Sequence, residues 1–162
     1  MKRLFAMALA LGAATAQAFS GVVTHVTDGD TLWVQPDSRF ASSRHRKPIK
    51  LRLQGIDAPE ICQAGGPESK AALASRVLHQ HVEVQTRAQD SYKRTLGTLR
   101  LQGDDVNAWM VEHGHAWSDR YRRSAGPYAA LEHAARQARL GVFAEPNAVE
   151  PRSFRKSHGP CH

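Results

Sequence analysis

The sequence predicts an α+β domain, mainly β, in which short strands are interleaved with helices. Three observations carry that expectation. Apolar and polar residues alternate in Ile49-Lys50-Leu51-Arg52-Leu53-Gln54, so successive side chains fall on opposite faces of a strand. Similar β-rich runs occur at Val22 to Val26, Thr31 to Val34 and His81 to Arg87. Between them, Pro67 to about Gln80 repeats apolar residues at helical spacing.

In chain order, Gly21 to Val34 forms a first hairpin with Asp28-Gly29-Asp30 at its bend, where Asp and Gly accept turn conformations. Gln35 to Lys50 is a long basic connection carrying Arg39, Arg44, His45, Arg46, Lys47 and Lys50. Such a stretch is either a solvated loop or an arm that touches phosphates. The strand from Ile49 to Ile56 runs into Asp57-Ala58-Pro59-Glu60. Pro67 suits a first helical position, and Ala71, Leu73, Ala74, Val77 and Leu78 form the buried stripe of that helix. His81 to Arg87 is a strand, Ala88 to Tyr92 a turn, and Lys93 to Leu101 a returning strand with Gly97 at a bulge or bend. Asp104 or Asp105 caps a second helix with Val106, Trp109, Met110 and His113 on its apolar face, stopped by Gly114. His115 to Arg123 connects. Pro127 opens a third helix facing inward with Tyr128, Leu131, Ala135 and Ala138, ended by Gly141. Residues 144–162 contain Pro146, Pro151 and Pro160 and read as a surface tail. This order is compatible with a small closed barrel, although periodicity leaves the topology open.

The first eighteen residues read as a secretory signal. Lys2 and Arg3 precede an apolar run from Leu4 to Ala14, and Ala16-Gln17-Ala18 is a small-x-small cleavage site before Phe19. A membrane anchor would need about 20 apolar residues. Cleavage leaves 144 of the 162 residues, and the formal charge of +7 falls to +5 with Lys2 and Arg3 removed. A basic exported chain points to polyanionic partners such as nucleic acid or a membrane surface. Cys62 and Cys161 are an even pair in an oxidising compartment, which favours a disulfide closing a long loop and tying down the tail; two free thiols are the alternative.

The residues that carry chemistry cluster between Asp28 and Glu60. If the strands pair as a meander, Asp30 and Asp57 meet at one end of the sheet. Two hard carboxylates there suit Ca²⁺, with a backbone carbonyl and water completing the coordination. Arg52 supplies a cation and Glu60 a carboxylate able to take a proton from water. Asp30 as a turn carboxylate and Asp57 as a strand-end cap are the ordinary alternatives, as surface ion pairing is for Arg52 and Arg94. His79/His81 and His113/His115 have no further ligands at zinc-type spacing. Ser118-Asp119 near His115 lacks a Gly-x-Ser-x-Gly turn, which argues against nucleophilic hydrolysis.

Asp28-Gly29-Asp30-Thr31, then Arg52 with Asp57-Ala58-Pro59-Glu60, then Tyr92-Lys93-Arg94, resemble in order and spacing the thermonuclease family, the homologues of staphylococcal (micrococcal) nuclease. The resemblance runs from about Gly21 to about Phe143 and implies a five-stranded OB-fold barrel with about three helices over residues 19–143. It implies Asp30, Asp57 and the carbonyl of Ala58 as Ca²⁺ ligands, Glu60 as general base, and Arg52 and Arg94 as transition-state clamps. Tyr92 matches a tyrosine close to the nucleotide, with a core or barrel-end aromatic as its alternative. The implied activity is sequence-non-specific endonucleolytic cleavage of DNA and RNA, single-stranded or frayed, leaving 3′-phosphates, by a monomer without a membrane partner. Lys93 stands where the family commonly has Gly, Ser91 where it has Lys, and Arg120, beside Tyr121, where a later tyrosine is expected. From another class, a catalytically weak OB-fold module would bind single strands through basic grooves and aromatics without cutting them.

Overall fold

A computed structural model describes residues 18–38, 47–120, 124–159 and 161. The expected leader up to Gln17, half of the basic connection (39–46) and Tyr121 lie outside these. The chain forms β1 (Ala18–Val26), β2 (Thr31–Pro36), β3 (Ile49–Leu53), β4 (Ile56–Asp57), α1 (Gly66–Val77), β5 (His81–Gln89), β6 (Thr95–Leu101), β7 (Asp104–Asp105), α2 (Val106–Glu112) and β8 (Trp117–Ser118). Then come α3 (Ala129–Gln137), a 3-10 turn (Gly141–Ala144) and α4 (Pro151–His158).

Strands β3, β2, β1, β5 and β6 are hydrogen-bonded in that order, and β3 pairs with β6 in parallel to close a five-stranded OB-type barrel. The inward residues are those that alternation selects: Val23, Leu32, Val34, Leu51, Leu53, Val82, Val84 and Leu99. Leu73 and Val77 of α1 and Val106, Met110 and Val111 of α2 join the same core. Closure depends on Gly97, where a Cβ would lie 2.6 Å from the Gln85 carbonyl and 3.2 Å from Leu51. The bulge expected at this point falls on the partner strand, between Thr86 and Ala88 of β5. Asn107, buried at the start of α2, locks the seam. Its Oδ1 accepts from Leu99 N (3.1 Å) and its Nδ2 donates to the Gln54 carbonyl (2.9 Å).

Several expectations are corrected. The strand from Ile49 to Ile56 breaks at Gln54-Gly55, because Gly55 adopts a positive φ of 78° and turns the chain into β4. The strand from Lys93 starts only at Thr95, since Lys93 and Arg94 belong to the preceding turn. In α1, Ala71 is exposed; the inward row is Ser69, Leu73 and Val77, each four residues on. His113 and Ala138 are exposed C-caps rather than core positions. Of the two candidate caps of α2 it is Asp105 that acts, accepting from Ala108 N at 3.0 Å.

The region expected as a surface tail contains α4, which makes four helices against about three. Its prolines read as breakers, but Pro151 sits in the first turn, where its missing N–H is no loss. Cys62 and Cys161 form a disulfide, Cα–Cα 5.7 Å, that fastens the end of this region beside the start of α1. Among the described residues no helix is long and apolar enough to cross a membrane.

Candidate active site

The β1–β2 turn positions the first carboxylates. Asp28 does the local work, its Oδ1 accepting from Asp30 N at 3.0 Å. That leaves the Asp30 side chain free to point inward, where it is 6% exposed. Its Oδ2 accepts from Ala58 N (2.8 Å) and its Oδ1 from the Thr31 hydroxyl (3.0 Å). Gly29 must be glycine here, because a Cβ would collide with Ser69 Oγ and Ala58 Cβ.

Asp57 ends β4, which pairs with β8 so that Asp57 lies opposite Trp117. Arg52, on β3 opposite Thr31, reaches both acids at once: Nη1 lies 2.7 Å from Asp30 Oδ2 and Nη2 3.1 Å from Asp57 Oδ1. Nη1 also donates to the Ile56 carbonyl at 3.1 Å. One planar fork therefore fixes the separation of the two carboxylates, a task for which Lys lacks the geometry. Burial holds the Asp30 carboxyl up at about 7, helped by Asp28 and Asp57 and opposed by Arg52 and the Ala58 N–H.

Arg94 is placed by a residue that the motif did not single out. Asp90 accepts from the backbone N–H groups of Tyr92 and Arg94, both at 2.9 Å, and from Arg94 Nε at 2.7 Å. Tyr92 is 79% exposed, with the Arg94 guanidinium 5.4 Å from its ring centre, so it is neither a core nor a barrel-end aromatic. Lys93 has φ 61°, a left-handed conformation that glycine would adopt without strain. Lys93→Gly is expected to raise stability by up to about 1 kcal/mol in urea unfolding. Loss of stability would show that the lysine side chain outweighs its backbone.

Glu60 stands at the mouth of the cleft and meets a partner that no motif announced. Arg155 of α4 donates from Nη1 to Glu60 Oε1 (2.7 Å) and Asp57 Oδ1 (3.1 Å), and from Nη2 to Asp57 Oδ2 (2.9 Å). These contacts strengthen its hold on its proton, with Asp57 contributing most. Gln63, also unforeseen, supports the Glu60 loop, accepting from Glu60 N (3.2 Å) and donating to the Val149 carbonyl (2.6 Å). The one sequence signal for these long-range contacts was the cysteine pair, with Cys62 two residues beyond Glu60 and Cys161 six beyond Arg155. Arg120, where a nucleotide-facing tyrosine was expected, instead pairs with Glu150 at 2.9 Å.

Asp28, Asp30, Lys50, Arg52, Ala58, Pro59, Glu60, Tyr92, Arg94 and Arg155 line one open cleft of about 570 Å³. A larger, mainly apolar cavity of about 700 Å³, lined by Trp117, Val142, Val149 and Phe154 among others, lacks this combination of charged groups. Asp30 lines the cleft, whereas Asp57 opens onto an adjoining pocket of about 230 Å³ with Trp117, Ser118 and Arg120 and is held beside Asp30 by Arg52; two buried carboxylates so placed, with Ala58 adjoining them, fit a hard cation. This donor set does not resemble a zinc or copper site, and among the described residues no three His, Cys, Asp or Glu side chains gather into a metal cluster.

The family profile described as staphylococcal nuclease homologue matches residues 50–145. That span includes Arg52, Asp57, Ala58, Glu60, Tyr92 and Arg94, and ends before α4. The chain is 40% identical over 147 residues to Protein ParB of Escherichia coli, covering 84% of this chain and 78% of the relative. It is 35% identical over 150 residues to a micrococcal nuclease of Shigella flexneri, covering 86% and 82%. An uncharacterized endonuclease of Haemophilus influenzae is 33% identical over 134 residues, covering 83% and 71%. On these matches and the five-stranded barrel, the chain belongs to the family of staphylococcal nuclease homologues and is a hydrolytic nuclease.

Proposed function

We propose that the protein is an exported, Ca²⁺-dependent endonuclease that cleaves single-stranded or frayed DNA and RNA without sequence preference, leaving 3′-phosphates. The observation that carries this reading is the bridging of Asp30 and Asp57 by one arginine, Arg52, which with Asp30 lines a cleft that also holds Glu60 and Arg94. Asp30, Asp57 and the Ala58 carbonyl would hold Ca²⁺. When bound, the ion supplies positive charge and Lewis acidity toward a phosphodiester. Glu60 takes the proton of the attacking water, whose oxygen bonds to phosphorus as the P–O5′ bond breaks, and the 5′-oxygen takes a proton from solvent and leaves as a hydroxyl. Arg94, and Arg52 from its place between the acids, stabilise the negative charge that builds on the phosphoryl oxygens. Exposed Tyr92 offers a stacking face for an unpaired base, which double-stranded nucleic acid presents only when frayed. Residues 1–18 serve as the leader and 19–143 as the catalytic domain. The disulfide supports an oxidising compartment, the periplasm or the medium. The protein acts as a monomer, with no membrane partner.

The test is digestion of single-stranded DNA by the mature protein with Ca²⁺ or with chelator, and analysis of the product ends. Ca²⁺-dependent release of fragments with 3′-phosphates is expected. Binding without cleavage at any calcium level would replace the nuclease by an OB-fold binding module.

A pH dependence follows from Asp30. Its carboxyl is raised from 3.8 to about 7, so the metal-free fold binds that proton more tightly than the unfolded chain does. The resulting stabilisation is complete below about pH 4 and lost as pH rises through about 7. Ca²⁺ requires the ionised carboxylate, so its affinity is expected to weaken as pH falls below about 7. Melting temperatures at pH 5.5 and 8, with and without Ca²⁺, should show the larger calcium-induced rise at pH 8. An equal rise at both would show that Asp30 is already ionised at the lower pH.

A further inference from the structure

We infer that Arg155 is a resident cation of the active site, which Ca²⁺ must displace from Asp57 in order to bind. The inference rests on the calcium reading above and concerns how that site is controlled. Arg155 engages both oxygens of Asp57, at 3.1 and 2.9 Å, and Glu60 at 2.7 Å. Asp57 Oδ1 also takes Arg52 Nη2 at 3.1 Å. Both oxygens of this metal ligand are therefore occupied by guanidinium nitrogens, and the general base is occupied as well. A cation entering between Asp30 and Asp57 has to remove one of these partners. Arg52 is the harder to move: its side chain is 16% exposed, it sits on a barrel strand, and it binds Asp30 and the Ile56 carbonyl. Arg155 is 40% exposed and rides on the short helix α4, outside the core clusters.

The disulfide explains why such an exposed arginine finds the acids at all. It joins Cys62, two residues after Glu60, to Cys161, six after Arg155. Tethering raises the effective concentration of α4 near the cleft, so the guanidinium returns whenever the ion leaves. It keeps Asp57 and Glu60 paired in the metal-free enzyme and sets the calcium concentration at which both are freed.

The experiment is calorimetric titration of the metal-free, disulfide-bonded protein with Ca²⁺ alone, comparing wild type, Arg155→Ala and Lys156→Ala. Lys156 is exposed, adjacent and of equal charge, and so reports the effect of charge without the contact. Arg155→Ala is expected to bind Ca²⁺ roughly tenfold more tightly, because charge-assisted hydrogen bonds no longer have to be broken. Lys156→Ala is expected to shift affinity by less than about twofold, as a screened surface charge does. Amide exchange across α4 should also rise when Ca²⁺ is added to the wild type. Unchanged or weaker binding in Arg155→Ala, an equal gain in Lys156→Ala, or unaltered exchange in α4 would each overturn the displacement. If no variant binds Ca²⁺, the calcium reading itself fails and takes this inference with it. Equal binding by all three would leave calcium in place and remove only the role of Arg155.

Discussion

Glu60→Gln should lower turnover on single-stranded DNA by about 10²–10⁴-fold while leaving substrate binding nearly intact, because a carboxamide cannot take a proton from water. The substitution preserves size and one hydrogen-bond acceptor, so the loop from Glu60 to Gln63 has no reason to move. Arg155 retains both its contacts to Asp57 and loses only charge at Glu60. Loss should therefore appear in kcat, with the dissociation constant for a single-stranded oligonucleotide little altered. Kinetics with Ca²⁺, paired with binding measured without cleavage, separates the two. Turnover equal to wild type would remove Glu60 from the role of base.

The second large effect is expected at Arg52. Arg52→Lys keeps the charge, but one ammonium cannot hold Asp30 and Asp57 in the fork that the guanidinium provides. Turnover is expected to fall by about 10²–10³-fold, the usual loss when a preorganised transition-state donor is removed. Arg52→Ala goes further and leaves buried Asp30 without its cation, while Asp57 keeps only Arg155. In the metal-free protein that should cost about 3–5 kcal/mol of stability. Added Ca²⁺ should recover part of this loss, because the ion would neutralise the same pair. Urea unfolding with and without Ca²⁺ measures both quantities. Wild-type turnover in the Lys variant would sink the clamp, and equal instability of the Ala variant in both conditions would detach Arg52 from the calcium site.

Much of the site was legible because its residues are local to strand ends and turns. Thr31 and Arg52 face each other across β2 and β3, so a meander brings Asp30 beside Arg52, and Asp57 follows five residues later. The left-handed backbone at Lys93 was likewise visible as a lysine where the family has glycine, and φ 61° bears it out. Ala71, His113 and Ala138 are apolar or aromatic and yet exposed. Helix phase and helix ends decide inwardness: in α1 polar Ser69 is buried along with Leu73 and Val77, its hydroxyl donating to the His115 carbonyl at 2.7 Å.

Alternation, turn residues and caps depend on neighbours a few positions away, so the longer strands, the first three helices and the positions of the carboxylates and of Arg52 and Arg94 beside strand ends and turns are legible in the chain alone. The contacts that complete the cleft span far greater separations. The two-residue strands β4 and β8 give no periodic signal, yet their pairing seats Asp57 opposite Trp117. Arg155 meets Asp57 98 positions away and Glu60 95 away, across a loop that the disulfide closes at a separation of 99. Closing so long a loop is entropically unfavourable, and no nearby residue encodes its outcome. Only the packed barrel, with its disulfide-tethered fourth helix, brings a second arginine onto the acids at its mouth.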